Sequence, residues 1–312
     1  MLLAFTGLIL GIALLVYCAD RLIQAATQLA TIWRIPAWIV GVTIVAFGTS
    51  LPEFVVNLSS AVAGHPDIAI GTVVGSDVIN VLFIIGVLVL INPAVLRSGQ
   101  NYPELLFMIV VAVVAALLFW QGDGLSRADG GGLIILFLGY ITYLFRFRPS
   151  ETTVPVAAAV RFWRAVTWFI VALIGLAVAG SITTQSAVQL AEIVGLSQAF
   201  ISLTIIGLGT SLPELATSAM AAWRKQTALS LGNIVGSFVL NIIVILGVTS
   251  LIQPLEYNHS FDGDVYFMIG GSVVLLLAVW LQHRTPLRRS LAILFLGSFV
   301  YYLINLLQRH GF

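Results

Sequence analysis

The chain has 312 residues, of which 60% are apolar and only 9% are charged, and its 14 basic residues nearly balance its 13 acidic ones. Soluble domains are typically about 45–50% apolar and about 25% charged. The composition therefore excludes a soluble globular enzyme, a disordered chain and a nucleic-acid-binding protein, and it indicates a polytopic membrane protein.

Apolar runs long enough to cross a bilayer recur along the whole chain. Each crossing needs about 20 mostly apolar residues, and lipid favours helices because it cannot hydrogen-bond an exposed backbone amide. The sequence predicts ten transmembrane helices, some of them interrupted, near residues 2–19, 37–63, 68–91, 104–120, 131–145, 165–184, 198–222, 228–252, 265–282 and 290–307.

The arginine and lysine residues are unevenly distributed among the connections between these helices. If the N-terminus lies outside, the inner connections hold 11 of the 14 basic residues. Cytoplasmic loops carry such an excess. We therefore expect a multi-pass protein of the cell (inner) membrane with both termini outside.

Two segments of the chain recur at a fixed offset of 161 residues. Residues 43–53 (TIVAFGTSLPE) and 204–214 (TIIGLGTSLPE) are identical at eight of eleven positions. Residues 71–93 and 232–254 are identical at twelve of 23, and no gap is needed between the two blocks. Chance similarity between apolar segments does not align Gly, Thr, Ser, Pro, Glu and Asn, so the repeat is genuine.

This repeat predicts two halves, residues 1–150 and residues 151–312, with five helices each. An odd number of helices makes the second half enter the membrane in the opposite direction. The expected fold class is an all-α integral membrane protein, with ten transmembrane helices arranged as two inverted-topology repeats of five. Equivalent motifs then approach the midplane from opposite sides.

Glu53 and Glu214 end the two copies of the first motif, inside apolar segments. A carboxylate at the bilayer centre costs about 2.5–3.5 kcal/mol on insertion scales, and such residues mark functional sites. The alternative is a protonated glutamate that only bonds a neighbouring helix. Two matched acids in two copies of a polar motif favour the functional interpretation.

The residues before each glutamate provide further oxygen atoms. Pro52 and Pro213 lack an amide hydrogen and break the helix, which frees backbone carbonyls one turn earlier. Ser50 and Ser211 add hydroxyls beside those carbonyls. A lone proline kink is usually structural, but the Thr-Ser before it and the Glu after it favour cation coordination.

The helix after each motif carries a serine and an asparagine four residues apart: Ser76 with Asn80, and Ser237 with Asn241. This spacing places each pair on one helical face. We favour ligation for these pairs over hydrogen bonding between helices. The combined donor set contains only oxygen ligands, which suit hard ions such as Ca²⁺ and Na⁺ rather than zinc, copper or iron. Two glutamates balance one Ca²⁺ or two Na⁺, as an exchanger requires.

The duplicated Gly-Thr-Ser-Leu-Pro-Glu, each copy followed by Gly-Ser-x-x-x-Asn, resembles the alpha repeats of the cation/calcium exchanger superfamily, and most closely those of prokaryotic sodium/calcium exchangers with ten helices. The resemblance implies exchange of Ca²⁺ for Na⁺ by alternating access, with the first and sixth helices sliding across the other eight. It implies calcium extrusion driven by the sodium gradient. By motif position, the implied ion ligands are Glu53, Glu214, Thr49, Ser50, Thr210, Ser211, Ser76, Ser237, Asn80 and Asn241.

The sequence departs from the superfamily pattern after each Gly-Ser, where Asp77 and Phe238 stand in place of asparagine. Asp77 lies about 100° round the helix from Ser76, which leaves open whether it faces the site. Some relatives carry an aspartate linked to potassium dependence where this chain has Asn241, so that residue favours potassium independence. The alternative function is a Ca²⁺/H⁺ or other cation/proton antiporter. Asn80 and Asn241 count against it, and Asp77 keeps it open.

Two further classes of protein fit the sequence less well. A cation channel requires a continuous pore with a ring-shaped filter, whereas one chain with two matched acids predicts a single central site. An intramembrane enzyme would need a catalytic motif, and none is recognisable. We expect no enzymatic activity and no cofactor. The expected partners are the transported Ca²⁺ and Na⁺ and the lipid bilayer; a monomer suffices for transport, and the oligomeric state is left undetermined.

Overall fold

The computed structural model describes residues 1–62, 66–97, 102–121, 124–147, 159–195, 201–282 and 288–309. Nearly all of these residues are helical. In chain order the helices are α1 (Leu2–Trp33), α2 (Ala37–Thr49), α3 (Leu51–Val62), α4 (66–91), α5 (Tyr102–Gln121), α6 (Arg127–Phe147), α7 (Ala159–Val194), α8 (201–210), α9 (Leu212–Trp223), α10 (Thr227–Ile252), α11 (Asp262–Gln282) and α12 (Arg288–Arg309).

Within the described residues, eight helices are long and apolar enough to cross a membrane. The pair α2 and α3 passes the same test together and is bent by 47°, which brings the number of spans to as many as nine. The prediction of a multi-pass membrane protein is therefore confirmed. The expected boundary between the halves, at residue 150, lies outside the described residues.

The all-α fold class is confirmed, and the described residues outside the helices include one short strand pair. Strand β1 (Gly124–Leu125) pairs antiparallel with strand β2 (Leu255–Glu256), where two connections between helices meet. A Cβ at Gly124 would lie 2.1 Å from the carbonyl oxygen of Leu255, and its φ is 150°. The short pairing needs glycine here because the two backbones approach so closely.

Helices α1 and α7 are both longer than the apolar runs predicted. Helix α1 has 32 residues, whereas the predicted run ends near residue 19. Helix α7 has 36 residues, whereas the predicted run has about 20. They pack antiparallel through small residues: Gly11 of α1 faces Thr183 of α7, and Gly175 of α7 faces Cys18 of α1. The two helices remain in contact beyond these apolar stretches, where Trp33 of α1 packs against Phe162 of α7. Cys18 is buried, as expected for a packing residue.

Apolar side chains form two separate buried clusters. The larger one joins α2, α4, α5, α6, α10, α11 and α12, with members such as Ile84, Phe119, Phe238 and Phe295. The smaller one is built mainly from α1 and α7, with members such as Leu22, Ala26, Phe169 and Leu176. The α1–α7 pair thus has its own core and packs as a unit against the remaining helices.

Candidate functional site

Each copy of the Gly-Thr-Ser-Leu-Pro-Glu motif contains a helix break at its serine. Ser50 has φ −83° and ψ 5°, and Ser211 has φ −87° and ψ 6°. This sparsely populated backbone region is where many functional residues lie. The break places Glu53 in the first turn of α3 and Glu214 in the first turn of α9. The positive end of a helix dipole stabilises negative charge there.

The two glutamates lie near each other in the interior of the protein. Each is only 1% exposed, and the two carboxylates are close enough to interact electrostatically. Ser50 donates a hydrogen bond of 3.0 Å to Oε1 of Glu214. Both side-chain oxygens of Glu53 and Oε2 of Glu214 are buried without a hydrogen-bond partner in the described part of the chain.

Asp77 of α4 joins these carboxylates, which settles the orientation that its position left open. It is fully buried, and its Oδ1 accepts a hydrogen bond of 2.9 Å from Nδ2 of Asn241. It interacts electrostatically with both glutamates. The site therefore holds three carboxylates, one more than the two glutamates that the repeat predicts.

The two predicted asparagines lie at the edge of this group of acids, on matched irregular turns. Asn80 belongs to the π-helical turn Ile79–Ile84 of α4, and Asn241 begins the π-helical turn Asn241–Leu246 of α10. Such turns are frequent at functional sites. Asn80 lies beside Asp77. Its amide oxygen and that of Asn241 are buried without a partner among the described residues.

We call Glu53, Asp77, Asn80, Glu214 and Asn241 the central oxygen cluster. Its members come from both sequence halves. Buried polar atoms are nearly always hydrogen-bonded in proteins, and leaving a carboxylate oxygen buried and unpaired is costly. Several such oxygens side by side are what a site for a desolvated cation requires.

The predicted serines next to this cluster differ in their hydrogen bonds. Ser76 and Ser211 are hydrogen-bonded to each other at 3.0 Å. Ser237 lies one turn before Asn241 on the same face of α10, and its hydroxyl is buried without a partner in the described chain. The hydroxyl pair thus connects the two halves, while Ser237 keeps its oxygen available.

Thr49 and Thr210 occupy equivalent motif positions but different surroundings. Thr49 is 1% exposed, and its hydroxyl lies 3.3 Å from Oδ1 of Asn233. Thr210 is half-buried, and its hydroxyl bonds the carbonyl of Gly207 at 3.1 Å. Thr210 therefore does not belong to the central oxygen cluster; it faces a cavity.

The cavity beside Thr210 has a volume of about 580 Å³ and is lined in part by residues of both motif turns. Helices α7 and α8 form most of its wall, and it ends at the prolines that precede the two glutamates. Its lining includes Gly180, Thr184, Gly209, Thr210, Pro52 and Pro213.

Two polar contacts near the site were missed by the motif reasoning. Asn233 donates a 2.9 Å hydrogen bond to the hydroxyl of Ser218, and Asn57 donates a 2.7 Å bond to the backbone carbonyl of Glu53. All four residues are buried. Asn57 and Ser218 are separated by the same offset of 161 residues that relates the motifs, and this signal could have identified them.

Among the described residues, no group of three or more His, Cys, Asp or Glu side chains is arranged to hold a metal by itself. A cation bound at the central oxygen cluster would therefore need amide, hydroxyl or backbone oxygens in addition to carboxylates. Such mixed oxygen coordination is typical of Ca²⁺.

The sequence and the fold both have known relatives. The chain is 34% identical to the inner membrane protein YrbG of Escherichia coli over 98% of its length and 97% of the relative, and 34% identical to the putative antiporter CaxA of Alkalimonas amylolytica over 89% and 90%. The solved structure of the sodium-calcium exchanger NCX_Mj, soaked with Na⁺ and without Ca²⁺, matches with a TM-score of 0.84 at 27% identity, over 97% of this chain and 98% of that one.

The model of the family described as sodium/calcium exchanger protein matches residues 3–146 and 164–308. These two segments cover most of the chain, so the match does not rest on the short motifs alone. The relatives likewise span nearly its full length. The chain belongs to the sodium/calcium exchanger protein family, and its fold is that of a membrane transporter.

Proposed function

We propose that this protein is a secondary active antiporter that exchanges Ca²⁺ for Na⁺ by alternating access and extrudes calcium on the sodium gradient. The observation that carries this proposal is the central oxygen cluster, in which buried carboxylate and amide oxygens from both halves lack a hydrogen-bond partner among the described residues. Hard oxygen ligands suit both ions. The relative NCX_Mj is itself described as a sodium-calcium exchanger.

In this proposal Glu53 and Glu214 are the central ligands, shared between the competing loads. Ser50, Asn80, Asn241 and Ser237 contribute oxygens around them. Ser76, Ser211, Thr49 and Thr210 complete the flanking sodium positions, with Thr210 on the approach from the cavity. Asp77 adds a third formal negative charge, which balances one monovalent cation in addition to Ca²⁺.

We further propose the complete architecture, with ten crossings arranged as two inverted repeats, residues 1–150 and 151–312. Helices α8 and α9 then form the second broken span, equivalent to α2 and α3. The matched backbone angles at Ser50 and Ser211 support this equivalence. The excess of basic residues in alternate connections supports an orientation with both termini outside.

The asymmetry of the two halves supports alternating access. Thr210 faces the 580 Å³ cavity, whereas the equivalent Thr49 is sealed against α10. In the proposed orientation the cavity opens to the outside, since it is lined by the outer half of α7. The α1–α7 pair, with its own apolar core, is the unit that would move to open the other side.

Unequal charge exchange would let the membrane potential assist calcium extrusion. Moving one net charge through about 100 mV releases about 2.3 kcal/mol. The experiment that tests the proposal is calcium uptake into proteoliposomes under imposed sodium, potassium or proton gradients. We expect uptake with an outward sodium gradient only. Equal uptake without sodium would contradict the proposal.

One observation favours a second candidate, calcium/proton exchange. Asp77 places a third buried carboxylate in the site, and chains of buried acids serve as proton relays in pumps and transporters. The proton arm of the same uptake experiment separates the two candidates. Uptake driven by a pH gradient in the absence of sodium would establish the second function.

A further inference from the structure

A second cavity, of about 200 Å³, lies between α1 and α7 and is separate from the cavity that leads to the central oxygen cluster. Two arginines and two glutamines form most of its wall, and none of its described lining residues is acidic. The lining consists of Arg21, Gln24, Ala25, Gln28, Arg164 and Trp168. The exchange mechanism proposed above uses none of them.

Arg21 is held in a fixed position by two aromatic rings. Its guanidinium carbon lies 5.1 Å from the ring centre of Tyr17 and 5.3 Å from that of Trp168. Cation–π contacts of this kind hold the group without using its N–H donors. Its Nε is buried and has no acceptor among the described residues. Since buried donors are nearly always paired, this arginine indicates an acceptor that the protein does not provide.

The neighbouring acid does not neutralise this cavity. Asp20 forms a salt bridge with Arg224, at the end of α9. Its second oxygen accepts a hydrogen bond of 2.7 Å from Gln24. Both oxygens of Asp20 are therefore engaged, and no acidic side chain among the described residues lines the cavity to compensate the positive charges of Arg21 and Arg164.

The cavity lies near the end of α1 that carries basic and aromatic residues. Trp33, at this end, packs edge-on against Phe162 at the start of α7, with ring centres 6.4 Å apart. Aromatic residues of this kind collect at the membrane–water interface. In the orientation proposed above, this is the cytoplasmic interface, where anionic headgroups attract basic residues.

We propose that this cavity binds the phosphate of an anionic phospholipid headgroup, with Arg21 and Arg164 as its ligands and the two glutamines as further donors. The planar guanidinium matches phosphate geometry and binds it with two parallel hydrogen bonds. Basic pockets between transmembrane helices on the cytoplasmic side are known to hold lipid headgroups. The bound lipid would lie between the two helices that form the smaller core.

The test is native mass spectrometry of the full-length protein in neutral detergent, titrated with phosphatidylglycerol or phosphatidylcholine. We expect one phosphatidylglycerol to bind preferentially. Arg21→Gln and Arg164→Gln should each weaken its binding about fivefold, the effect of one arginine near the membrane surface. The matched control is Arg146→Gln, at the end of α6 on the same proposed side but outside the cavity, and it should bind as the parent does.

Equal binding of the two lipids, or unchanged binding in the Arg21→Gln/Arg164→Gln double variant, would overturn the proposal. Inorganic phosphate forms a separate arm: it should compete only weakly, and competition as strong as that of phosphatidylglycerol would assign the cavity to a soluble anion instead. Melting temperatures in lipid-free detergent check folding. If the double variant melts early, Arg164→Gln decides the test, because the Arg164 side chain is exposed.

Discussion

The hydroxyl of Ser50 donates a hydrogen bond of 3.0 Å to Oε1 of Glu214, and this contact joins residues 164 positions apart in the sequence. It connects the helix break of the first motif to the acid of the second. The equivalent Ser211 does not make the reciprocal bond to Glu53; it bonds Ser76 instead. The two halves are thus alike in sequence but differ in their hydrogen bonds, as expected for one conformation of an alternating transporter.

Removing either central charge should abolish exchange. Glu53→Gln and Glu214→Gln keep the side-chain shape, but each removes one of the negative charges that balance Ca²⁺. We expect calcium uptake into sodium-loaded proteoliposomes to fall to background in both variants. Glu256→Gln, on an exposed residue of β2, is the matched control and should transport normally. Near-normal uptake in either cluster variant would rule out the proposed central ligands.

Ser50→Ala should weaken calcium binding without unfolding the protein. A hydrogen bond to a charged group contributes about 1.5–3 kcal/mol, so the half-saturating calcium concentration should rise about 10- to 100-fold. Initial rates of uptake at varied calcium concentrations measure this change. Ser59→Ala, an exposed serine beyond the site on α3, should leave the value unchanged. An unaltered half-saturating concentration in Ser50→Ala would show that this contact does not support ion binding.

Asp77→Asn should change the charge moved per calcium ion while exchange continues. Asparagine keeps an oxygen that can accept the bond from Asn241, but it removes the third negative charge. We expect uptake to depend differently on an imposed membrane potential, and the number of coupled cations to fall. Asp129→Asn, on a half-buried aspartate at the start of α6, controls for a charge change outside the site. Identical voltage dependence in Asp77→Asn and the parent would exclude Asp77 from the transported-charge balance.

The difference between Thr49 and Thr210 predicts one-sided accessibility. Cys18 is the only cysteine in the sequence, so a Cys18→Ala background permits single-cysteine labelling. A membrane-impermeant thiol reagent added from outside should modify Thr210→Cys and leave Thr49→Cys largely unmodified. Ser181→Cys, which also lines the cavity, is the positive control. Equal labelling at positions 49 and 210 would contradict the proposed outward opening.

Gly236→Ala should destabilise the packing of α10 against α2. A Cβ at Gly236 would lie 2.4 Å from the carbonyl oxygen of Val42, and overpacking of this kind costs about 1–3 kcal/mol. We expect a lower melting temperature in detergent. Gly139→Ala is the matched control, since its added Cβ meets no described atom within 4 Å. A melting temperature equal to that of the control would show that the two helices separate at little cost.

The sequence predicted the site residues that are polar although they stand inside membrane-spanning apolar segments. Acids and hydroxyls inside apolar segments, repeated at one offset, led directly to Glu53, Glu214 and the surrounding serines and asparagines. The structure brings most of these residues together.

Other features depended on contacts that hydropathy does not report. Helices α1 and α7 continue past their predicted apolar runs, where they still pack against each other through Trp33 and Phe162. Asp77 lies about 100° round the helix from Ser76, and this angle alone does not determine which way its side chain points. Its spacing of three residues from Asn80 places those two side chains on neighbouring positions of the helix, and this relationship would have indicated an inward orientation.

Asp77 also has a consequence for the two directions of transport. The equivalent position in the second half is Phe238, which is fully buried, so the additional carboxyl group lies within one repeat only. When the two repeats exchange roles, a calcium ion arriving from one compartment encounters an electric field different from the one met by an ion arriving from the other. Exchange should therefore run at different rates in the forward and reverse directions. The half-saturating calcium concentration should differ between the two faces of the membrane even at zero voltage.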